Sequence, residues 1–183
     1  MKIKTSQNCP LQIGELLVNP GQGFLGLTLC PGKKDLARNW NRDIDEDLQV
    51  IKAWGATTVI SLIEDHEFGM LHVDTLGCDI GALGMDWIHL PIVDVNIPDN
   101  RFEISWVTDG PKLHARLDAG ERILIHCRGG IGRTGLVAGL LLVERGVDAT
   151  AAIERVRQAR PGAIETMLQE KYVVAHGHQR HHS

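Results

Sequence analysis

One stretch of this sequence concentrates reactive chemistry: ILIHCRGGIGRTG, residues 123–135. Cys127 closes a short apolar run, and five residues separate it from Arg133, three of them glycines: Gly129, Gly130 and Gly132. Glycine tolerates positive φ and close backbone approach, so such a loop can curl with its N–H groups pointing inward. A helix starting at the far end adds its positive dipole end. The amides of Arg128, Gly129, Gly130, Ile131, Gly132 and Arg133 then form a nest for one tetrahedral oxyanion, with Cys127 at its floor. Arg133 can grip two oxygens of that anion as a planar fork. The same electrostatics favour a thiolate at Cys127, which makes it a nucleophile. A nucleotide P-loop is excluded, because no G-K-[ST] is present.

A loop of this kind needs a strand before it and a helix behind it, and the pattern supplies both. ILIH (123–126) reads as a buried strand. The helix expected over 134–145 is apolar nearly all round, which places it in the centre of the molecule. Other strands are expected at FLGLTL (24–29), TTVISLI (57–63) and WIHLPI (87–92). Helices are expected over 44–54, stopped by Gly55, and over 102–119, kinked near Pro111. A further helix runs from the cap Asp148 to about Arg160, and the last from Ile164 to about Ala175. The stretch from His66 to Gly84 reads as helical pieces interrupted at Gly77. Strands alternating with helices indicate an α/β fold: a single domain with a central, mostly parallel sheet flanked by helices. In such sheets ligands bind beyond the carboxyl ends of strands, where Cys127 and Asp94 both fall.

The chain has 183 residues, 43% hydrophobic and 23% charged, the composition of one globular domain. Its core is expected over about 24–175, with a flexible His-rich tail over 176–183. A net charge of −4 speaks against a nucleic-acid partner. The longest apolar runs are too short to span a bilayer, and the first residues carry no apolar signal segment, so no membrane partner is expected. The cysteines at 9, 30, 78 and 127 form neither a disulfide framework nor a zinc spacing. A reduced, cytoplasmic setting, no cofactor and no metal follow as expectations. Lys33, Lys34, Arg38 and Arg42 form a basic cluster around Trp40, which reads as a solvated face or an attractant for phosphorylated substrates.

The run His126-Cys127-x-x-Gly130-x-x-Arg133-Thr134-Gly135 resembles the signature of cysteine-dependent tyrosine and dual-specificity protein phosphatases. With LGLTLCPGKK (25–34), PIVDVNIPD (91–99) and RPGAIET (160–166), the chain is similar to kinase-associated dual-specificity phosphatases and their bacterial relatives. The resemblance implies a protein tyrosine phosphatase-like fold, a phosphoprotein substrate, and phosphomonoester hydrolysis through a phosphocysteine without metal; a monomer is expected. It implies that Cys127 attacks phosphorus, that Arg133 and the amides of 128–133 hold the equatorial oxygens, and that Thr134 bonds the thiolate. His126 would order the loop. Asp94 matches the general acid, with Asp99 as rival or helix cap and Asp86 as a further candidate. Gln169 stands where tyrosine phosphatases place a water-orienting glutamine, and Glu165, on the same helix face, receives no role. A phosphatase of a non-protein substrate such as a phosphoinositide, a rhodanese-like sulfurtransferase, and a non-catalytic phosphate-binding module are the alternatives.

Overall fold

The most completely buried strand of the chain becomes the middle of the sheet. In the computed structural model, which describes residues 2–180, five strands lie in the order β1 (Gly14–Leu17), β2 (Phe24–Leu29), β7 (Arg122–Cys127), β5 (Ala56–Ser61), β6 (Asp86–His89). Only the edge pair β1–β2 is antiparallel; β2, β7, β5 and β6 run parallel. A separate hairpin, β3 (Lys34–Asp35) and β4 (Trp40–Asn41), follows β2.

Helices cover both faces, as a parallel sheet requires. α1 (Ile44–Trp54), α2 (Asp65–Met70) and α3 (Leu76–Ala82) lie over one face, whose core holds Leu48, Ile51, Val59, Ile80 and Leu124. α4 (Asn100–Asp118), α5 (Gly132–Glu144), α6 (Ala149–Ala159) and α7 (Met167–Arg180) cover the other, around Leu27, Phe102, Ile125, Leu140, Ile153 and Val173. α5 is buried from Gly132 to Val143, which explains why it carries no polar stripe. Three helix starts have an aspartate cap: Asp43 accepts from the Glu46 N–H, Asp99 from Arg101 and Phe102, and Asp148 from Thr150 and Ala151.

Several elements depart from the sequence expectation, each for a local reason. β1 was not expected; only Leu16 of its four residues is buried, too weak a signal to register as a strand. The break between α2 and α3 falls at residues 71–75, not at Gly77. Gly77 lies inside α3 because the Trp87 ring stands about where a side chain would be, 2.5 Å from an added Cβ. β6 ends at His89 rather than continuing to Ile92. α4 starts at Asn100 and passes through Pro111 unbroken. Its turn there is exposed, with Val107 77% accessible, so water can satisfy the carbonyl that Pro111 leaves without a donor. The last helix begins at Met167, since Ile164 has φ 57°, outside helical geometry. It continues to Arg180, so the tail expected to be flexible from residue 176 is helical that far; residues 181–183 lie outside the described residues.

Candidate active site

All four parallel strands deliver a functional group from their carboxyl ends. β7 ends in Cys127, and the loop to α5 carries the amide nest. β2 leads to Lys33, β5 to α2 and Glu67, and β6 to the turn that holds Asp94. β7 lies between β2 and β5, so the groups converge on it. They border a cleft of about 560 Å³ whose lining includes Cys127, Arg128, Arg133, Asp94, Val95, Lys33, Trp40 and Arg160.

The loop's shape is held by partners on its carbonyls from Arg128 to Ile131. The Arg128 carbonyl accepts from the Cys30 N–H at 3.4 Å and from Lys33 Nζ at 2.9 Å. Arg160 donates through Nε to the Gly130 carbonyl at 3.1 Å and through its Nη2 to that of Gly129 at 3.5 Å. The Ile131 carbonyl accepts from Gly135 and Ile164. A trans peptide points its N–H opposite its C=O, so every outward carbonyl turns the next N–H towards the interior. The Gly130 N–H donates to Cys127 Sγ at 3.2 Å. Gly130 has φ 70°, and a Cβ there would fall 2.3 Å from the Thr28 backbone; no other residue fits.

Arg133 is 1% exposed. A buried guanidinium needs a counter-charge, and the sequence reading had not found it. Glu67 supplies it as a two-point pair, Nη1 to Oε2 at 2.5 Å and Nη2 to Oε1 at 3.0 Å. Burial pushes the Glu67 carboxyl up, but the Arg133 pair and the Glu64 N–H outweigh it and hold it below the usual range. Nη1 also donates to the Ile92 carbonyl at 3.1 Å, and Nη2 meets Asp94 Oδ1 at 2.8 Å. Nε alone has no partner. Of five guanidinium hydrogens, the Nε–H is free, and the adjacent Nη2–H faces a half-exposed carboxylate. That edge can take two oxygens of an anion once Asp94 gives way, and Asp94 then stands beside the bound group.

The rival carboxylates sit elsewhere. Asp99 caps α4 and pairs with Arg101, which lowers its pKa. Asp86 pairs with Arg116 near the start of β6, at the opposite end of the sheet. His126 is fully buried, and burial takes its imidazole down to about 3. Its Nε2 lies 2.6 Å from Ser61 Oγ, which accepts from Trp87 Nε1 at 2.9 Å. The Ser61 hydroxyl thus joins the imidazole and the Trp87 indole in one buried hydrogen-bonded chain.

Three residues depart from their expected surroundings. Thr134 is buried, and its Oγ1 has no hydrogen-bond partner; the expected bond to the Cys127 sulfur is not made, and the Gly130 N–H takes that place. Gln169 is buried in the first turn of α7; Glu165 precedes the helix, yet its carboxylate lies beside the Gln169 amide over Gly132 and lines the cleft. The Gln169 Oε1 accepts from the Glu165 and Thr166 N–H groups, and Nε2 donates to the Asn96 carbonyl at 3.0 Å. Both lone pairs are used, so this oxygen cannot orient a water. The basic cluster is split: Lys34 and Arg38 are exposed, as on a solvated face, and the other two are not. Lys33 and Arg42 are buried, and Arg42 forms a two-point pair with Asp47 and donates to the Cys9 carbonyl.

Comparison with known proteins decides the family. The profile described as "PTP-SAK: Swiss Army Knife protein, DSP-PTPase phosphatase domain" matches residues 36–173. The chain belongs to this family. Among curated relatives, cyclin-dependent kinase inhibitor 3 of Mus musculus is 33% identical over 174 residues, covering 91% of this chain and 79% of that protein. Protein tyrosine phosphatase type IVA 3 of Mus musculus is 30% identical over 129 residues, 69% of this chain and 68% of its own. The crystal structure of kinase associated phosphatase, with its catalytic site cysteine substituted by serine, superposes with a TM-score of 0.79 at 28% identity, covering 89% of this chain and 92% of that one. Tk-PTP in its active form gives 0.67 at 25% identity, with 91% and 97% covered. The DSP-PTPase domain described here is a cysteine-dependent protein phosphatase, and its family favours phosphate-ester hydrolysis over sulfur transfer.

Proposed function

We propose that this phosphatase acts on both phosphotyrosine and phosphoserine/threonine, with Cys127 as nucleophile, Arg133 and the amides of residues 128–133 as the phosphate clamp, and Asp94 as general acid. The Cys127 thiolate attacks phosphorus; the P–O bond breaks as the Asp94 carboxyl gives its proton to the leaving oxygen. Water then attacks the phosphocysteine, Asp94 takes the water's proton, and the S–P bond breaks to return the thiolate. Charge on the equatorial oxygens meets donors already in place. The Thr134 hydroxyl is buried without a partner directly after Arg133, and we assign it the departing thiolate. His126, neutral and bonded to Ser61, fixes the end of β7. Gln169 keeps the Asp94 turn seated through Asn96.

The observation that carries this reading is the free Nε–H edge of Arg133, between the Cys127 loop and the Asp94 carboxylate. An open cleft walled by Trp40 and Val95 suits side chains of different length. Every group comes from one chain and a catalytic thiolate works only while reduced, which supports a monomer in the cytoplasm. Phosphotyrosine, phosphothreonine and phosphoserine peptides and phosphoinositides assayed side by side test the substrate class. Peptides should be turned over with the higher kcat/KM; equal or better phosphoinositide turnover would contradict a protein substrate.

A further inference from the structure

Lys33 is buried, 4% exposed, at a position where a solvated lysine would cost the fold less. It lines the active-site cleft, and its Nζ makes two contacts there. It donates to the Arg128 carbonyl at 2.9 Å and stands 4.5 Å from the centre of the Trp40 ring. The Arg128 carbonyl is the first after Cys127 in the loop. Drawn outward, it turns the Gly129 N–H towards the phosphate position. Arg160 does the same for the next two carbonyls, but an arginine keeps its charge at all working pH.

We propose that Lys33 is a positioning residue for the phosphate: it holds the first loop carbonyl outward and, while charged, strengthens the nest for a dianion. This rests on the loop being the phosphate site. Asp35 faces Lys33 from its own hairpin, Cys30 from the end of β2, and Cys127 and Arg128 from the loop. Lys4 and Arg42 share the Trp40 ring with it, and Asp47 neutralises Arg42. Burial, opposed by Cys30, Asp35 and Cys127, draws the Lys33 ammonium down to about 8. The charge is therefore present at pH 7 and lost through pH 8 to 9.5.

The test is the dissociation constant of a phosphotyrosine peptide measured by calorimetry from pH 7 to 9.5. The full-length Cys127→Ser protein serves as parent; it lacks the nucleophile's thiolate, and the bound phosphate dianion takes over the charge with which Cys127 opposes the burial of Lys33. The ligand's second ionisation lies near 6, so it stays a dianion over that range. In the parent, binding should weaken by about tenfold as pH rises, the size of one charge-assisted hydrogen bond. Adding Lys33→Arg should keep the pH 7 affinity and abolish the weakening. Adding Lys33→Gln should give binding that is about tenfold weaker at pH 7 and flat with pH. In the active enzyme, Lys33→Gln should raise KM at pH 7, and Lys33→Arg should keep it at the wild-type value. Equal affinity of parent and Lys33→Gln at pH 7, or weakening of Lys33→Arg in step with the parent, would overturn the proposal. If Lys33→Gln does not fold, the arginine comparison alone decides. A parent that binds no phosphopeptide at any pH refutes the phosphate site itself, and this inference with it.

Discussion

Arg133 must be buried to reach the nest and yet keep one edge of its guanidinium for substrate. Glu67 reconciles the two demands by taking the opposite edge. Glu67→Ala would leave a buried, unpaired charge, and the loss of stability should be about 3–5 kcal/mol, read by urea unfolding; a change within experimental error would mean the pair is not what holds Arg133. Glu67 was invisible in the sequence because 66 positions separate it from Arg133 and nothing local marks the contact. Cys127, Gly130 and Arg133 were legible because their chemistry depends on spacing within a single loop. Asp94 was legible only through the run from Pro91 to Asp99, and its contact with Arg133 comes from the fold. Asp94→Asn should slow phosphoserine hydrolysis by about 10²–10⁴ and p-nitrophenyl phosphate hydrolysis much less, since that leaving group departs without a proton. Equal losses on both substrates would remove Asp94 from proton transfer.

Among the elements, α7 shows how a short motif acts at a distance. Thr166 and Gln169 form a reciprocal capping box: the Gln169 N–H donates to Thr166 Oγ1, and Gln169 Oε1 accepts from the Thr166 N–H. The remaining Gln169 donor holds the Asn96 carbonyl, two residues past Asp94. T-x-x-Q is readable as a helix start, and reading it so would have placed the helix N-terminus at Met167 instead of Ile164. What it ties down is not readable, because residue 96 is brought there by β6. Gln169→Leu keeps the bulk and removes the tie. It should lower kcat on phosphoserine more than on p-nitrophenyl phosphate, by about tenfold in ratio, a mild form of the Asp94→Asn pattern; an unchanged ratio would show that the tie does not govern the acid. Elements with strong periodicity and caps, such as α1, β2 and α6, were fully legible. β1 and the β3–β4 hairpin were not, since two to four half-exposed residues carry no pattern, yet that hairpin supplies the Trp40 wall and the Asp35 partner of Arg128.

For the molecule as a whole, the fold commits the end of its central strand to a neutral, buried histidine. His126 has a folded-state value of about 3 against an ordinary 6.5, so the unfolded chain takes up the proton first. Stability is then full above pH 6.5 and falls as pH drops, by about 1.4 kcal/mol per unit. The lowered Glu67 carboxyl adds to the loss only below its ordinary 4.5, which leaves pH 6.5 to 5 as a window for His126. Urea unfolding across that window should show the slope in the wild type and a flatter line in His126→Gln; equal slopes would place the acid sensitivity elsewhere. The same sheet brings a thiol and a guanidinium from the end of β7 and a carboxylate from beyond β6 to one anion site, and the central claim is that Cys127 becomes covalently phosphorylated there. The most direct measurement is a millisecond denaturing quench with a radiolabelled phosphotyrosine peptide, followed by peptide mapping. The account predicts phosphate on Cys127 within the first turnover, and neither label nor turnover in Cys127→Ser, which should still bind the peptide. Turnover without label on Cys127, or activity retained in Cys127→Ser, would contradict it.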